Sequence, residues 1–312
     1  MAKTRRPGPQ VGRASRTIRR PDLQVGRAGR PAQKRFGQHF LEPPWVEKLV
    51  QAIAPGPSDV FLEIGAGRGA LTRPLAAAAS HVMAFEIDRM LAADLRQAAI
   101  PRLSIVEGDF LDTSVVAIQK ALSPHTPPAE PASSALSAEH PRVVGNLPYN
   151  VASPILFKLV DLYAAGLRID DAIVMLQREV ADRLLASPGS KDYGVLAVMI
   201  SHWAQVDRVL SLPPGAFRPV PRVHSSVVRL RFHPAWPPAA DERIFRALAQ
   251  AVFTQRRKTL LNALRAYPPS RLVHPADVLK RTGIDGRRRP ETLDIAEFVR
   301  LSDVFAAGLD AV

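Results

Sequence analysis

"VVGNLPYN", residues 143–150, closes a short apolar run with an amide, a proline and a tyrosine. None of these is a strong nucleophile, acid or base. What Asn146 and Leu147 offer is a pair of hydrogen-bond acceptors, one a side-chain amide oxygen and one a backbone carbonyl. That pair suits the exocyclic amino group of adenine, whose lone pair is delocalised into the ring. Accepting hydrogen bonds from both amino hydrogens favours a more tetrahedral, more nucleophilic nitrogen. Pro148 fixes the turn and has no N–H to compete. Tyr149 offers a face on which a base can stack, a contact worth roughly 1–3 kcal/mol. An electrophile presented in line then needs little beyond positioning. Taken alone, the four residues could also be a plain strand-ending turn.

The electrophile is suggested by "EIGAGRG". Gly65, Gly67 and Gly69 follow an apolar strand and precede a helix, where glycines admit positive φ and let backbone approach a ligand. The turn by itself is as often structural as ligand-binding. The next strand ends at Glu86, about 20 residues on, where a carboxylate grips ribose hydroxyls in nucleotide-binding units. Asp109 ends the third strand and could accept a hydrogen bond from an adenine amino group, or cap a turn. Carboxylates at both strand ends favour an uncharged ribose without phosphate. That points to S-adenosylmethionine over a dinucleotide phosphate. Phe217, in the proline-stiffened "LPPGAFRPVPRVHSS", is expected to stack on the other side of a flipped-out base; the alternative is a core plug under the loop.

These residues need a frame. Strands read at 59–64, 82–87, 103–109, within "RVVGNL" and at 171–177 alternate with helical stretches, which predicts βαβ units and a doubly wound parallel sheet. "VDRVLSLPP" and "SVVRLRF" can close it as a hairpin. The segment 123–141, rich in Pro, Ala and Ser, reads as an exposed insertion. After 234 the texture turns helical. The domains expected are therefore a tail at 1–35, a catalytic domain at 36–234 and a small all-helical domain at 235–312.

The chain has 312 residues, no cysteine and a formal net charge of +13. Disulfides, thiol chemistry and cysteine-based zinc sites are excluded, and no metal-ligating cluster stands out. No apolar run is long enough for a bilayer span, and no secretory leader is apparent, so a cytoplasmic protein is expected. Residues 1–35 carry eleven lysines and arginines against one acid, Asp22. "RRPGPQVGRASR" recurs there as "RRPDLQVGRAGR". The tail reads as disordered, either an electrostatic tether to RNA or an inert extension.

The motifs "RFGQHFL", "LEIGAGRGALT", "FEID", "EGDFLD", "VGNLPYNVASPILFKL", "MLQREVADRL", "YGVLAVM", "PGAFRPVPRVHSSVVRL" and "FTQRRKTLLNAL" resemble the ribosomal RNA adenine dimethyltransferases, specifically the bacterial small-subunit branch. The resemblance covers about residues 34–305. It implies a Rossmann-like class I methyltransferase sheet with a C-terminal all-helical domain. It also implies double methylation of two adjacent adenosines near the 3′ end of 16S rRNA in the immature 30S subunit. It would place His39, Leu41, Gly65, Gly67, Glu86, Asp109 and Asn146 around S-adenosylmethionine. His39 stands where some relatives carry asparagine; a ring nitrogen can replace the amide acceptor, with pH sensitivity as a consequence. Arg256, Arg257 and Lys258 alternate with Leu260, Leu261 and Leu264, so RNA contact is expected there and at Arg287 and Arg288. A solvated face is the alternative. A monomer is expected, since no helix shows an apolar seam. A 23S rRNA methyltransferase of the resistance type, a DNA adenine methyltransferase and a non-catalytic assembly factor remain as competing functions.

Overall fold

A computed structural model describes residues 39–122 and 140–310. The repeated tail and nearly all of the 123–141 insertion lie outside the described residues. The elements run as β1 (Phe40–Leu41), α1 (Pro43–Ile53), β2 (Val60–Ile64), α2 (Thr72–Ala78), β3 (His81–Glu86), α3 (Arg89–Gln97), β4 (Leu103–Glu107) and α4 (Val115–Leu122). They continue as β5 (Arg142–Asn146), α5 (Ala152–Ala164), β6 (Ala172–Gln177), α6 (Arg178–Leu184), α7 (Val195–Ser201), β7 (Ala204–Leu212), β8 (Phe217–Arg218) and β9 (Ser225–Phe232). Four helices follow: α8 (Glu242–Phe253), α9 (Leu260–Leu264), α10 (Pro275–Thr282) and α11 (Ile295–Asp310).

The main sheet has the order β4-β3-β2-β5-β6-β9-β7. Its first five strands are parallel, and β9 runs antiparallel between β6 and β7, as the expected hairpin requires. Every residue of β2 and β3 is buried, because helices cover both faces of a parallel sheet and leave no polar side. The expected strands appear within one or two residues of their places; the third stops at Glu107, short of Asp109. The chain leaves β2 toward β3 and β4 and returns on its other flank as β5 and β6. At this reversal the loops leaving β2 and β5 diverge and open a crevice beyond the carboxyl ends of the strands.

Gly145 lets β5 lie close to β2 at that point. A Cβ there would come 2.7 Å from the Ile64 carbonyl oxygen. The helices after 234 gather a core of their own around Phe245, Leu248, Val252, Leu260, Phe298 and Phe305, which α7 joins. At the junction His202, fully buried, meets Glu242 of α8 at 3.1 Å and packs its ring against Phe245. Among the described residues no helix is long and apolar enough to cross a membrane.

Candidate active site

A cavity of about 200 Å³ opens where the strand order reverses, lined by the turns after β2, β3 and β5 and by residues 39–41. Gly65 and Gly67 adopt φ of +78° and +58°, which explains why the turn after β2 needs glycine. The Gly67 N–H donates to Glu86 Oε2 at 2.7 Å, and the Asp88 N–H donates to Oε1 at 2.8 Å. Glu86 is thus held rigid at the end of β3. Burial raises its pKa, and the two N–H donors work against that rise. Asp109 accepts from the Leu111 N–H at 2.9 Å and also lines the cavity. It is a cap and a wall residue at once.

The reacting end is tied together by long-range contacts. Asn146 Nδ2 donates to the His39 carbonyl at 2.8 Å. A carbonyl only accepts, so the amide has one way to face, and its Oδ1 is left for another donor. The Leu147 N–H is spent on the Met175 carbonyl at 3.2 Å. Tyr149 shares a hydrogen bond with Ser225 Oγ at 2.8 Å, a partner the sequence reading missed. Burial raises the Tyr149 pKa against the lowering effect of that bond. Its ring stacks on His39 with centroids 5.6 Å apart.

The sequence profile of the ribosomal RNA adenine dimethylase family matches residues 29–306. The chain belongs to that family. It is 40% identical to the ribosomal RNA small subunit methyltransferase A of Aromatoleum aromaticum, over 88% of this chain and 95% of that protein. It is 42% identical to the protein of the same name from Laribacter hongkongensis, over 87% of this chain and 95% of that protein. Among solved structures, a dimethyladenosine transferase from Plasmodium falciparum superposes with a TM-score of 0.69 at 24% identity, over 86% of this chain and 98% of that one, and shares the fold. The 23S rRNA methyltransferase ErmE superposes at 0.56 with 26% identity, over 86% of this chain and 99% of that one.

Several expectations for this dimethylase need correction. Phe217 is fully buried and does not line the cavity. It pairs through its backbone with Leu41 as β8 meets β1. Strand alternation turns its ring into the core and leaves Arg218 outside. His39 contributes a backbone acceptor to Asn146, while its Nδ1 donates to the Pro219 carbonyl at 2.7 Å. "TQRRK" is a turn between α8 and α9, with Leu260 and Leu264 buried as expected. Arg257, Lys258 and Arg287 are exposed, whereas Arg256 donates to the Lys191 carbonyl. Arg288 faces inward to Glu297 of α11, at 2.9 Å.

One group escaped the sequence reading. Glu63 sits in the middle of apolar β2, 2% exposed, yet it lines the cavity. Burial pushes its carboxyl up to about 7; Glu86 adds to the rise and nearby Thr72 opposes it. Among the described residues its Oε2 has no hydrogen-bond partner. An orphaned carboxylate oxygen and two further acids suit a ligand bearing hydroxyls and positive charge. Ile87, 46% exposed beside Glu86, adds apolar surface for a base. These residues fit S-adenosylmethionine, the methyl donor.

Proposed function

We propose that this dimethylase adds two methyl groups to the exocyclic nitrogen of each of two adjacent adenosines in the 3′-terminal hairpin of 16S rRNA, within the immature 30S subunit. The observation that carries this reading is the Asn146 amide, whose nitrogen is committed to the His39 carbonyl so that its oxygen is left to accept. The small-subunit names of relatives about 40% identical support the choice of RNA over the 23S alternative.

S-adenosylmethionine supplies an electrophilic methyl group when bound, with Glu86 holding the ribose hydroxyls and Asp109 the adenine amino group. Asn146 Oδ1 and the Leu147 carbonyl accept from the target amine and localise its lone pair. Tyr149, anchored through Ser225 and packed on His39, stacks on the base from the cavity wall that it lines. Water is kept from the reacting amine by the apolar walls of Leu147, Val151 and Ile155. Residues 36–234 form the catalytic part and 235–312 the RNA-facing part, working as a monomer in the cytoplasm.

The test is transfer of labelled methyl groups to undermethylated 30S particles, with protein-free 23S rRNA and DNA as rival substrates. The expected product is a pair of dimethylated adenosines near the 3′ end of 16S rRNA. Asn146→Ala should abolish transfer and leave particle binding nearly unchanged. Equal labelling of 23S rRNA, or full activity in the variant, would overturn the reading.

A further inference from the structure

The cavity wall holds a cation that the reaction so far does not use. Arg68 follows Gly67 in the turn after β2, lines the cavity, and lays its guanidinium over the Phe40 ring, 4.0 Å from the centroid. Phe40 is itself fixed, because β1 pairs with β8 and sets Phe40 against Arg218. The ring also closes on the turn: a Cβ at Gly67 would lie 3.4 Å from Phe40 Cε1. A cation stacked on a held ring is a positioned cation, although its outer side is exposed to water.

The charges around it are lopsided. Glu63, Glu86 and Asp109 all line the same cavity. Among the described lining residues Arg68 alone is cationic at every working pH. S-adenosylmethionine carries two positive groups, a sulfonium and an ammonium, and one negative group, the α-carboxylate of its methionine arm. The acids suit the first two and repel the third. With the adenosine at Glu86 and Asp109 and the methyl group at Asn146, the glycine turn and residues 39–41 are left for the amino-acid arm. Resting on S-adenosylmethionine as the cofactor, we propose that Arg68 binds its α-carboxylate and so selects for a donor that carries one. Phe40 is the positioning residue that holds the guanidinium in place.

Titration calorimetry with two probes tests this. One is S-adenosylmethionine; the other is its decarboxylated form, which keeps the sulfonium and the amine. The unsubstituted protein should prefer the first by about tenfold, the size of a partly exposed charge-assisted contact. Arg68→Gln should weaken S-adenosylmethionine by about the same factor and leave the decarboxylated form unchanged. Arg68→Lys should retain part of the preference, and Phe40→Leu should lose part of it. Thermal unfolding of each variant checks that the fold survives. Equal losses for both probes, or no loss for either, would overturn the assignment. Failure of the unsubstituted protein to bind either probe would overturn the cofactor itself, and Arg68's role with it.

Discussion

At the residue scale, the cavity combines an amide that can face only one way with a carboxyl in an uncomfortable place. Glu63 lies inside β2 with Oε2 unpartnered among the described residues, and its pKa is raised from 4.5 to about 7. The folded chain therefore holds this proton more tightly than the unfolded chain does. Between about pH 4.5 and 7 the unfolded chain has released the proton while the folded chain still keeps it. Stability accordingly falls as pH rises through that window and levels off above it. A shift of this size corresponds to about 3 kcal/mol at most. Glu63→Gln, which imitates the protonated form, should flatten the dependence. Urea denaturation of both proteins at pH 5 and pH 8 checks this: the native protein should lose more stability than the variant on going to pH 8. Parallel losses would mean that Glu63 is not the titrating group.

At the element scale, the site depends on how closely β5 approaches β2. Gly145 permits that approach, since a methyl group there would meet the Ile64 backbone oxygen at 2.7 Å, and backbone cannot swing aside as a side chain would. Gly145→Ala should therefore cost roughly 1–3 kcal/mol, the usual penalty of overpacking. It should also reduce methyl transfer, because Asn146 is the next residue. Gly215→Ala, at a position where an added Cβ meets nothing within 4 Å, is the matched control and should be near neutral in melting temperature. A Gly145 variant as stable and active as the control would show that the strands yield. The strands, the glycine turn and Asn146 were legible in the sequence because each announces itself locally, by apolar runs, spacing and turn chemistry. Phe217 was misread because its neighbours are prolines, while its fate is decided by pairing with Leu41, far away in the chain. Ser225 was missed for the same reason, as the partner of Tyr149 across the sheet. Glu63 was passed over because an acid within an apolar strand carries no local sign of which way it faces.

At the scale of the whole molecule, the helical block brings two separate basic segments together. The Leu260 N–H donates to the Arg288 carbonyl at 2.6 Å and the Leu261 N–H to the Gly286 carbonyl at 3.0 Å, so the turn at 254–258 and the loop at 286–288 become neighbours. Their cations then divide by role. Arg288 fastens the start of α11 through Glu297, and Arg256 fastens the 190–191 loop, so both belong to the fold. Arg257 and Lys258 are exposed, and among the described residues Arg287 engages only Asp285, in a solvent-exposed pair that holds it weakly. If this surface meets phosphate, each of the three should release counterions on binding RNA. Replacing Arg257, Lys258 and Arg287 by alanine together should then lower the slope of log affinity against log salt by roughly one for each cation removed. Filter binding to small-subunit particles across a potassium chloride series measures that slope. The variant should still bind S-adenosylmethionine normally, because none of the three lines the cavity. An unchanged salt slope would assign these cations to solvent and move the RNA footprint elsewhere on the protein.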